Sequence, residues 1–334
     1  MSSRRLDWDR VLALVLISPS ILAIAVFVYA FIAWTGWASV LKWNDLLALQ
    51  APSQFPALKI FPPKTLFAQL DNYIRLIQSD QRFQKDLENT VVFTVLFIAT
   101  CLLLGLLLAV LLDQKIRGEA LFRGIYLFPM SVSFIVTGVV WRWVLNPGTR
   151  QTGAVGINLL LEKTGFSFLL EKVGVVQLIE KAGFHYPLGW YTDPKIGIAA
   201  VVIAAAWQMT GYTMALYLAG LRGISEDLRE AARVDGASEW QVFQHIILPL
   251  LQPVTLSAVI ILGHISLKIF DLISSMTGPG AGFSTDVPAY YLFDTVFRGN
   301  HFARGAAIAI ILLLMVSVLV VPYLIYSRRA EVEA

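Results

Sequence analysis

Residues 230–249 read EAARVDGASEWQVFQHIILP, a charged stretch between the apolar runs IGIAAVVIAAAWQMTGYTMALYLAGL (196–221) and VTLSAVIILGHISL (254–267). Just before it, Ser225 is placed to cap a helix, with Glu226 and Asp227 in the first turn against the positive end of the helix dipole. Leu228, Ala231, Ala232 and Asp235 follow at helical spacing, and Gly236 supplies a left-handed stop. Ser238 with Gln241 three residues on forms a capping box. The second helix carries Val242, Phe243, Ile246 and Ile247 on one face as far as Pro249. The stretch therefore predicts a helix, a glycine turn and a second helix.

The surroundings decide what such an object is for. The 334 residues are 57% hydrophobic and 15% charged, against about a quarter charged in soluble domains, so the chain belongs in a membrane. Runs of about 20 apolar residues are long enough to span one, and six qualify: 11–33, 89–112, 121–145, 196–221, 251–273 and 305–326. The fold class is all-α, a polytopic membrane protein of six transmembrane helices. The first run follows Arg4 and Arg5 but is longer than a cleavable signal's apolar core, so it reads as a retained anchor. The single cysteine, Cys101, excludes an internal disulfide and reads as an inert buried thiol. His185, His245, His264 and His301 lie far apart without metal-ligand spacing. No paired carboxylates, nucleophile–base set or metal cluster lies in the spans, so an enzyme is not expected.

Six spans put both termini on one side of the membrane. The set containing the termini, the 113–123 turn and the 222–250 loop holds eleven of the 26 Lys and Arg residues on little chain. By the positive-inside rule that side is the cytoplasm of a cell inner membrane. Outside lie 34–88, with an amphipathic helix near 65–78, then 146–195 and the Gly/Pro-rich 274–304. Within the second, LLEKTGF (160–166), LLEKVGV (169–175) and LIEKAGF (178–184) repeat every nine residues. Nine residues of continuous helix would turn successive copies to opposite faces. Each copy therefore reads as a short helix closed by glycine.

Ala231 and Ala232 allow another backbone to approach closely, and Glu230 beside them offers a charge to an arginine or lysine. Glu226, Asp227, Glu230, Asp235 and Glu239 outnumber Arg229 and Arg233. That balance disfavours a helix lying on lipid and a DNA-reading helix pair, so no nucleic-acid partner is expected. Docking of a protein partner is the better reading.

The spacing E-A-A, three residues, Gly, nine residues, Ile, one residue, Leu-Pro is met by Glu230, Ala231, Ala232, Gly236, Ile246, Leu248 and Pro249. It resembles the cytoplasmic loop of permease subunits of ATP-binding-cassette importers. FRGIYLFPMSVSFIVTGVVWRWVLNP (122–147), GWYTDPKIGIAA (189–200), WQMTGYTMALYLAGLRGISEDLREAARVDGAS (207–238) and FDLISSMTGPGAGFSTDVPAYYLFDTVF (270–297) extend the likeness over about 85–325, and look like the maltose-type sugar permeases. GYTMALYLAGL (211–221) is closer to the first of the two paired permeases in that family. The repeat at 160–184 departs from the family pattern. The organisation implied is 1–84 as anchor and outward segment, 85–327 as the importer transmembrane domain with an insertion at 146–195 and the coupling loop at 222–250, and 328–334 as a cytoplasmic tail.

The resemblance implies that the loop's short helices are coupling helices seated in a cytoplasmic ATPase dimer, with Glu230 facing a basic residue and Asp235 beside the Gly236 turn. No phosphate loop of the form G-x-x-x-x-G-K-[ST] occurs in the chain, so ATP and Mg belong to the partner and this chain binds no cofactor or metal. A second homologous permease and an extracytoplasmic solute-binding protein complete the implied assembly. STDVPAYYLFD (284–294) faintly resembles permeases for α-glucosides and related disaccharide or osmolyte glycosides. Polar positions at membrane depth are the candidates for the solute path: Asn89, Gln208, Tyr212, Tyr217, His264, Lys268 and Asp271. Gln208 and Tyr212 lead, although Gln208 could equally bond a neighbouring helix. Lys268 and Asp271, three apart on one helical face, could pair with each other. A gradient-driven secondary transporter is the alternative class, but it needs more spans or inverted repeats, and no span has a second copy.

Overall fold

A computed structural model describes residues 8–41, 70–114, 116–149, 153–181, 183 and 188–333, with side chains over 12–325. Helices account for the regular structure, and no β-strand occurs among the described residues. The order is α1 (Leu12–Ser39), α2 (Asp71–Gln78), α3 (Gln81–Asp113), α4 (Glu119–Leu127), α5 (Phe134–Val144), α6 (Gly156–Lys163), α7 (Phe166–Lys172), α8 (Val175–Lys181), α9 (Gly197–Gly223), α10 (Glu226–Val234), α11 (Glu239–Leu250), α12 (Gln252–Leu267), α13 (Asp271–Met276), α14 (Pro288–Phe293) and α15 (Phe302–Glu333). Contacts divide the chain into two units: residues up to Ser79 with Leu292–Ile311, and Asp80–Tyr291 with Leu312 onward.

Among the described residues four helices are individually long and apolar enough to cross a membrane, or up to six spans if each of two bent pairs counts as one. All six expected runs are therefore present, but two are not straight. The 121–145 run breaks between α4 and α5, which meet at 100°. Pro129 stands in a 3₁₀ turn (Phe128–Ser131) after α4, where it donates no hydrogen bond and stops the α-helix. Ser133 then caps α5, accepting from the Val136 amide. The 251–273 run ends early, because α12 stops at Leu267 and Lys268 to Phe270 separate it from α13. At the other end α11 and α12 form a second bent pair, at 59°. α11 passes Pro249 by way of a π turn (Phe243–Ile247), the adjustment a missing proline donor demands, and so reaches Leu250 rather than stopping at Pro249.

In the first unit α2 is fastened to the end of α1. Asn72 donates to the carbonyls of Ser39 and Leu41, both at 2.8 Å, and the Ser39 and Tyr73 hydroxyls share a 2.6 Å bond. The amphipathic helix expected near 65–78 is α2 over 71–78; the expected positions 65–69, like the rest of 42–69, lie outside the described residues.

The second unit is organised on α3 and α9. Phe93, Phe97 and Cys101 of α3 are fully buried against Ala200, Val201, Ala204 and Ala205 of α9 and Leu272, Ile273 and Met276 of α13. Small residues let helices approach closely where no hydrophobic driving force separates protein from lipid. Gly105 of α3 lies so close to Thr213 and Met214 that a Cβ there would sit 2.8 Å from the Thr213 Cβ. At 33 residues α3 is about 50 Å long, well beyond a hydrocarbon core of about 30 Å. Its far end, beyond the expected start at Asn89, is fastened by side chains. Tyr291 donates to Asp80 at 2.6 Å, and Arg82 donates to the fully buried Asp286 at 2.6 Å with its guanidinium over the Phe283 and Tyr291 rings.

The nine-residue repeat folds as expected into α6, α7 and α8. Gly165, Gly174 and Gly183 follow them at φ +69°, +85° and +81°. Asn158 of α6 joins this element to the approach to α9, accepting from the Trp190 indole at 2.9 Å and donating to the Leu188 carbonyl at 3.0 Å.

Candidate functional site

The loop between α9 and α12 has the predicted form. Ser225 caps α10, accepting from the Asp227 amide. The α10 end is a full Schellman turn: Gly236, at φ +87°, donates to the Arg233 carbonyl at 3.1 Å and Ala237 to the Ala232 carbonyl at 3.0 Å. The Ser238–Gln241 capping box closes in both directions at the start of α11. Arg233 then clamps the two helices, donating to Glu239 at 2.7 and 3.3 Å and lying 3.7 Å from Glu226. The hydrogen bond and charge of Glu239 raise the Arg233 pKa further, and Arg233 holds the Glu239 carboxyl below its ordinary range. Cap, turn and clamp make one stiff elbow.

Its motif residues face outward. Glu230, Ala231, Asp235, Gly236, Leu248 and Pro249 are exposed, and Ala232 and Ile246 are half-buried. The elbow also shows apolar side chains to solvent, with Val234 87% and Trp240 68% exposed. A Cβ on Gly236 would meet nothing within 4 Å, so substitution there tests backbone conformation alone. Gly236→Val is expected to strain the turn by about 1–3 kcal/mol. This will appear as faster amide exchange across 231–241 and reduced solute uptake, while Gly236→Asn, which tolerates positive φ, keeps both near normal. Unchanged exchange in the valine variant would show that the turn does not need its left-handed residue.

The seven solute-path candidates are scattered, and no hydrogen bond or ion pair joins any two of them. Gln208 is buried in α9, where its Nε2 donates at 2.6 Å to the Val132 carbonyl left free by the break between α4 and α5. Its Oε1 is buried with no partner among the described residues. Tyr212 is half-buried one turn further on. Tyr217 is buried and donates to the Thr255 hydroxyl at 3.0 Å. Asn89 gives its amide to the Phe283 and Asp286 carbonyls, at 2.7 and 3.0 Å, bracing a loop in which Phe283 stands at φ +61°. His264 is half-buried in α12, whereas Lys268 and Asp271 are exposed. The pairing expected of these last two does not form: Lys268 caps α12 and Asp271 opens α13, so the shared helical face does not exist.

Sequence reading missed the ties between the elbow and the spans. Arg229 donates to Asp113 at 3.1 Å, and Arg222 lies 2.7 Å from Glu119. Both carboxylates stand in the charged 113–123 turn, where the sequence pattern bears on topology and carries no sign of these partners.

A membrane helix bundle carrying an exposed helix–glycine–helix elbow defines a class, the permease subunits of binding-protein-fed importers. The chain belongs to the family described as binding-protein-dependent transport system inner membrane component, whose pattern matches residues 102–331. It is 38% identical over 313 residues to a probable ABC transporter permease protein of Pyrococcus horikoshii, covering 94% of each chain. To the xylose/arabinose import permease protein of Haloferax volcanii it is 37% identical over 263 residues, covering 78% of this chain and 74% of that one. Among solved structures it superposes with a TM-score of 0.66 on a bacterial ABC transporter involved in the import of the polysaccharide alginate, at 19% identity over 96% and 98% of the two chains. That likeness bears on the fold. This chain is a multi-pass inner-membrane permease subunit of a binding-protein-dependent importer.

Proposed function

We propose that this chain is one of two facing permeases in an ATP-driven sugar importer. In this reading a cytoplasmic ATPase dimer grips the 222–250 elbow, an extracytoplasmic binding protein delivers the sugar, and both termini lie in the cytoplasm. ATP and Mg are bound by the ATPase, and catalysis of hydrolysis is its work alone. The observation that carries the proposal is the elbow itself: a stiffened helix pair that holds Glu230, Val234 and Trp240 in solvent. Exposed apolar side chains beside an unpaired acid on a rigid frame are what a protein interface requires.

The mechanism follows from stiffness. When the ATPase closes on ATP it displaces the elbow as a body, and α11 continues through its bend into α12. The bent pairs are the places where a span can change angle without unwinding, in the manner of hinge and shear transitions. Support for a sugar comes from the relatives: besides the pentose permease, the chain is 31% identical to a trehalose/maltose transport system permease of Thermococcus litoralis and 30% identical to an alpha-glucoside transport system permease of Rhizobium meliloti. Gln208 and Tyr212 are the side chains we assign to the sugar. The Gln208 Oε1, buried here without a partner among the described residues, is the acceptor a hydroxyl would take once the spans part, and the half-buried Tyr212 offers a ring face. Asn89 and Tyr217 are already engaged within the fold and rank below them.

Affinity purification of the tagged chain from native membranes tests the assignment. A nucleotide-hydrolysing subunit and a second permease are expected in the eluate. A chain that purifies alone and moves solute in liposomes without ATP would overturn it.

A further inference from the structure

α10 presents the docking motif, yet none of its nine residues is fully buried. A short helix of this kind gets no fixed direction from packing. Arg233 and the Gly236 turn join it to α11, and at its other end the chain passes from α9 through the extended Ile224 and Ser225. Its link to the body of the bundle is Arg229, whose side chain is 12% exposed. Nη1 donates to the Asp113 carboxylate at 3.1 Å and Nη2 to the Leu221 carbonyl at 2.7 Å. Asp113 is the last residue of α3 and Leu221 lies in the last turn of α9, so one guanidinium joins three helices.

The loop has no chain connection to α3; Ile224 and Ile247, at its two ends, pack on the cluster that holds Ala109 and Leu112 of α3, but no residue of α10 belongs to that cluster. Between α3 and the rest of the elbow lies an open cleft of about 1290 Å³, walled by Leu103, Leu107 and Val110 on one side and Trp240 and Phe243 on the other. The Arg229 side chain crosses beside it. Arg229 precedes Glu230, and one residue of helix is a turn of about 100°, so the docking acid points out while the arginine points in. A planar guanidinium holding two acceptors loses little freedom for each bond made, which suits it to carry a displacement.

We infer that Arg229 is the strut through which a displacement of the docking helix reaches α3, with Asp113 as its seat. It is a positioning residue for transport, and the inference rests on the proposed function. With the strut in place, α10 and the cytoplasmic end of α3 move as one body when the ATPase closes. Without it, α10 moves and α3 lags.

The test is an electron-spin distance measurement on the whole complex, purified with its ATPase into nanodiscs. Nitroxides are placed at the exposed Leu111 and Leu228 in a Cys101→Ala background. With Arg229 present, the distribution is expected to stay narrow and unchanged between the nucleotide-free and ATP–vanadate-trapped states. In Arg229→Ala it widens and shifts on trapping, and in Arg229→Lys, which cannot hold both acceptors, it is intermediate. Dependence on nucleotide is what a purely structural role would not produce. A distribution in Arg229→Ala as narrow as in the parent, in both states, overturns the strut. If Arg229→Ala does not assemble, Asp113→Asn, which leaves the bond to Leu221 in place, is measured instead. Failure of both to assemble overturns it too, since the pair is then a folding element. A parent chain that brings down no ATPase overturns the proposed function rather than the strut alone.

Discussion

Glu230→Lys is expected to abolish uptake while the protein remains folded and inserted at normal levels. Glu230 is exposed in the middle of α10, and surface substitutions in such positions change stability by about 0.5 kcal/mol or less. The local loss is the attraction of its carboxylate to Arg233 one turn on, while the clamp from Arg233 to Glu239 is left intact. At a partner's surface the same change has another scale. Reversing one member of a desolvated charge pair costs about 2–5 kcal/mol or more, a fall in affinity of about thirtyfold to several thousandfold. Two measurements separate these scales: the melting temperature of the purified chain, expected to move little, and the amount of ATPase retained on it, expected to collapse. Normal ATPase retention with normal uptake in Glu230→Lys would remove the elbow from the coupling role.

The elbow was legible in the sequence because everything that shapes it is local. Ser225, the Ser238–Gln241 box and Gly236 each act within one turn, and each is found where the spacing placed it. The glycines of the nine-residue repeat were legible for the same reason. The bend between α4 and α5 was not, because a hydropathy window sums composition and takes no account of continuity across Pro129. Lys268 and Asp271 failed likewise: the i,i+3 pairing rule presumes one helix running through both, and α12 ends at Leu267. Ties between distant segments left no mark. Asp113 and Arg229 are 116 residues apart in the chain, and neither advertises the other. Asn89 shows the limit for the solute path. A polar side chain at membrane depth must have a partner, but sequence does not distinguish a sugar hydroxyl from the carbonyls of Phe283 and Asp286.

The second large effect is expected at Gly211, where α9 crosses the end of α4. A Cβ there would run into the Tyr126 carbonyl oxygen and stand 2.7 Å from its carbonyl carbon. Both are backbone atoms, so no rotamer change relieves the clash and the helices themselves must separate by more than an ångström. Gln208 lies one turn away on α9, and its 2.6 Å bond to the Val132 carbonyl is stretched by the same separation. That leaves a half-buried carbonyl at the span's break without its donor. Overpacking costs about 1–3 kcal/mol where side chains can adjust, and the unpaired half-buried carbonyl adds up to about 1–3 kcal/mol, the cost of a fully buried one. Gly211→Ala is therefore expected to lower the melting temperature and membrane yield sharply, and Gly211→Leu to prevent assembly. Gly124→Ala is the control within α4, because nothing lies within 4 Å of the added carbon. There, exchange of glycine for alanine in a helix should stabilise by about 0.5–1 kcal/mol. Equal melting temperatures for the two alanine variants would mean that α4 and α9 do not cross at Gly211, and that Gln208 does not hold the break between α4 and α5.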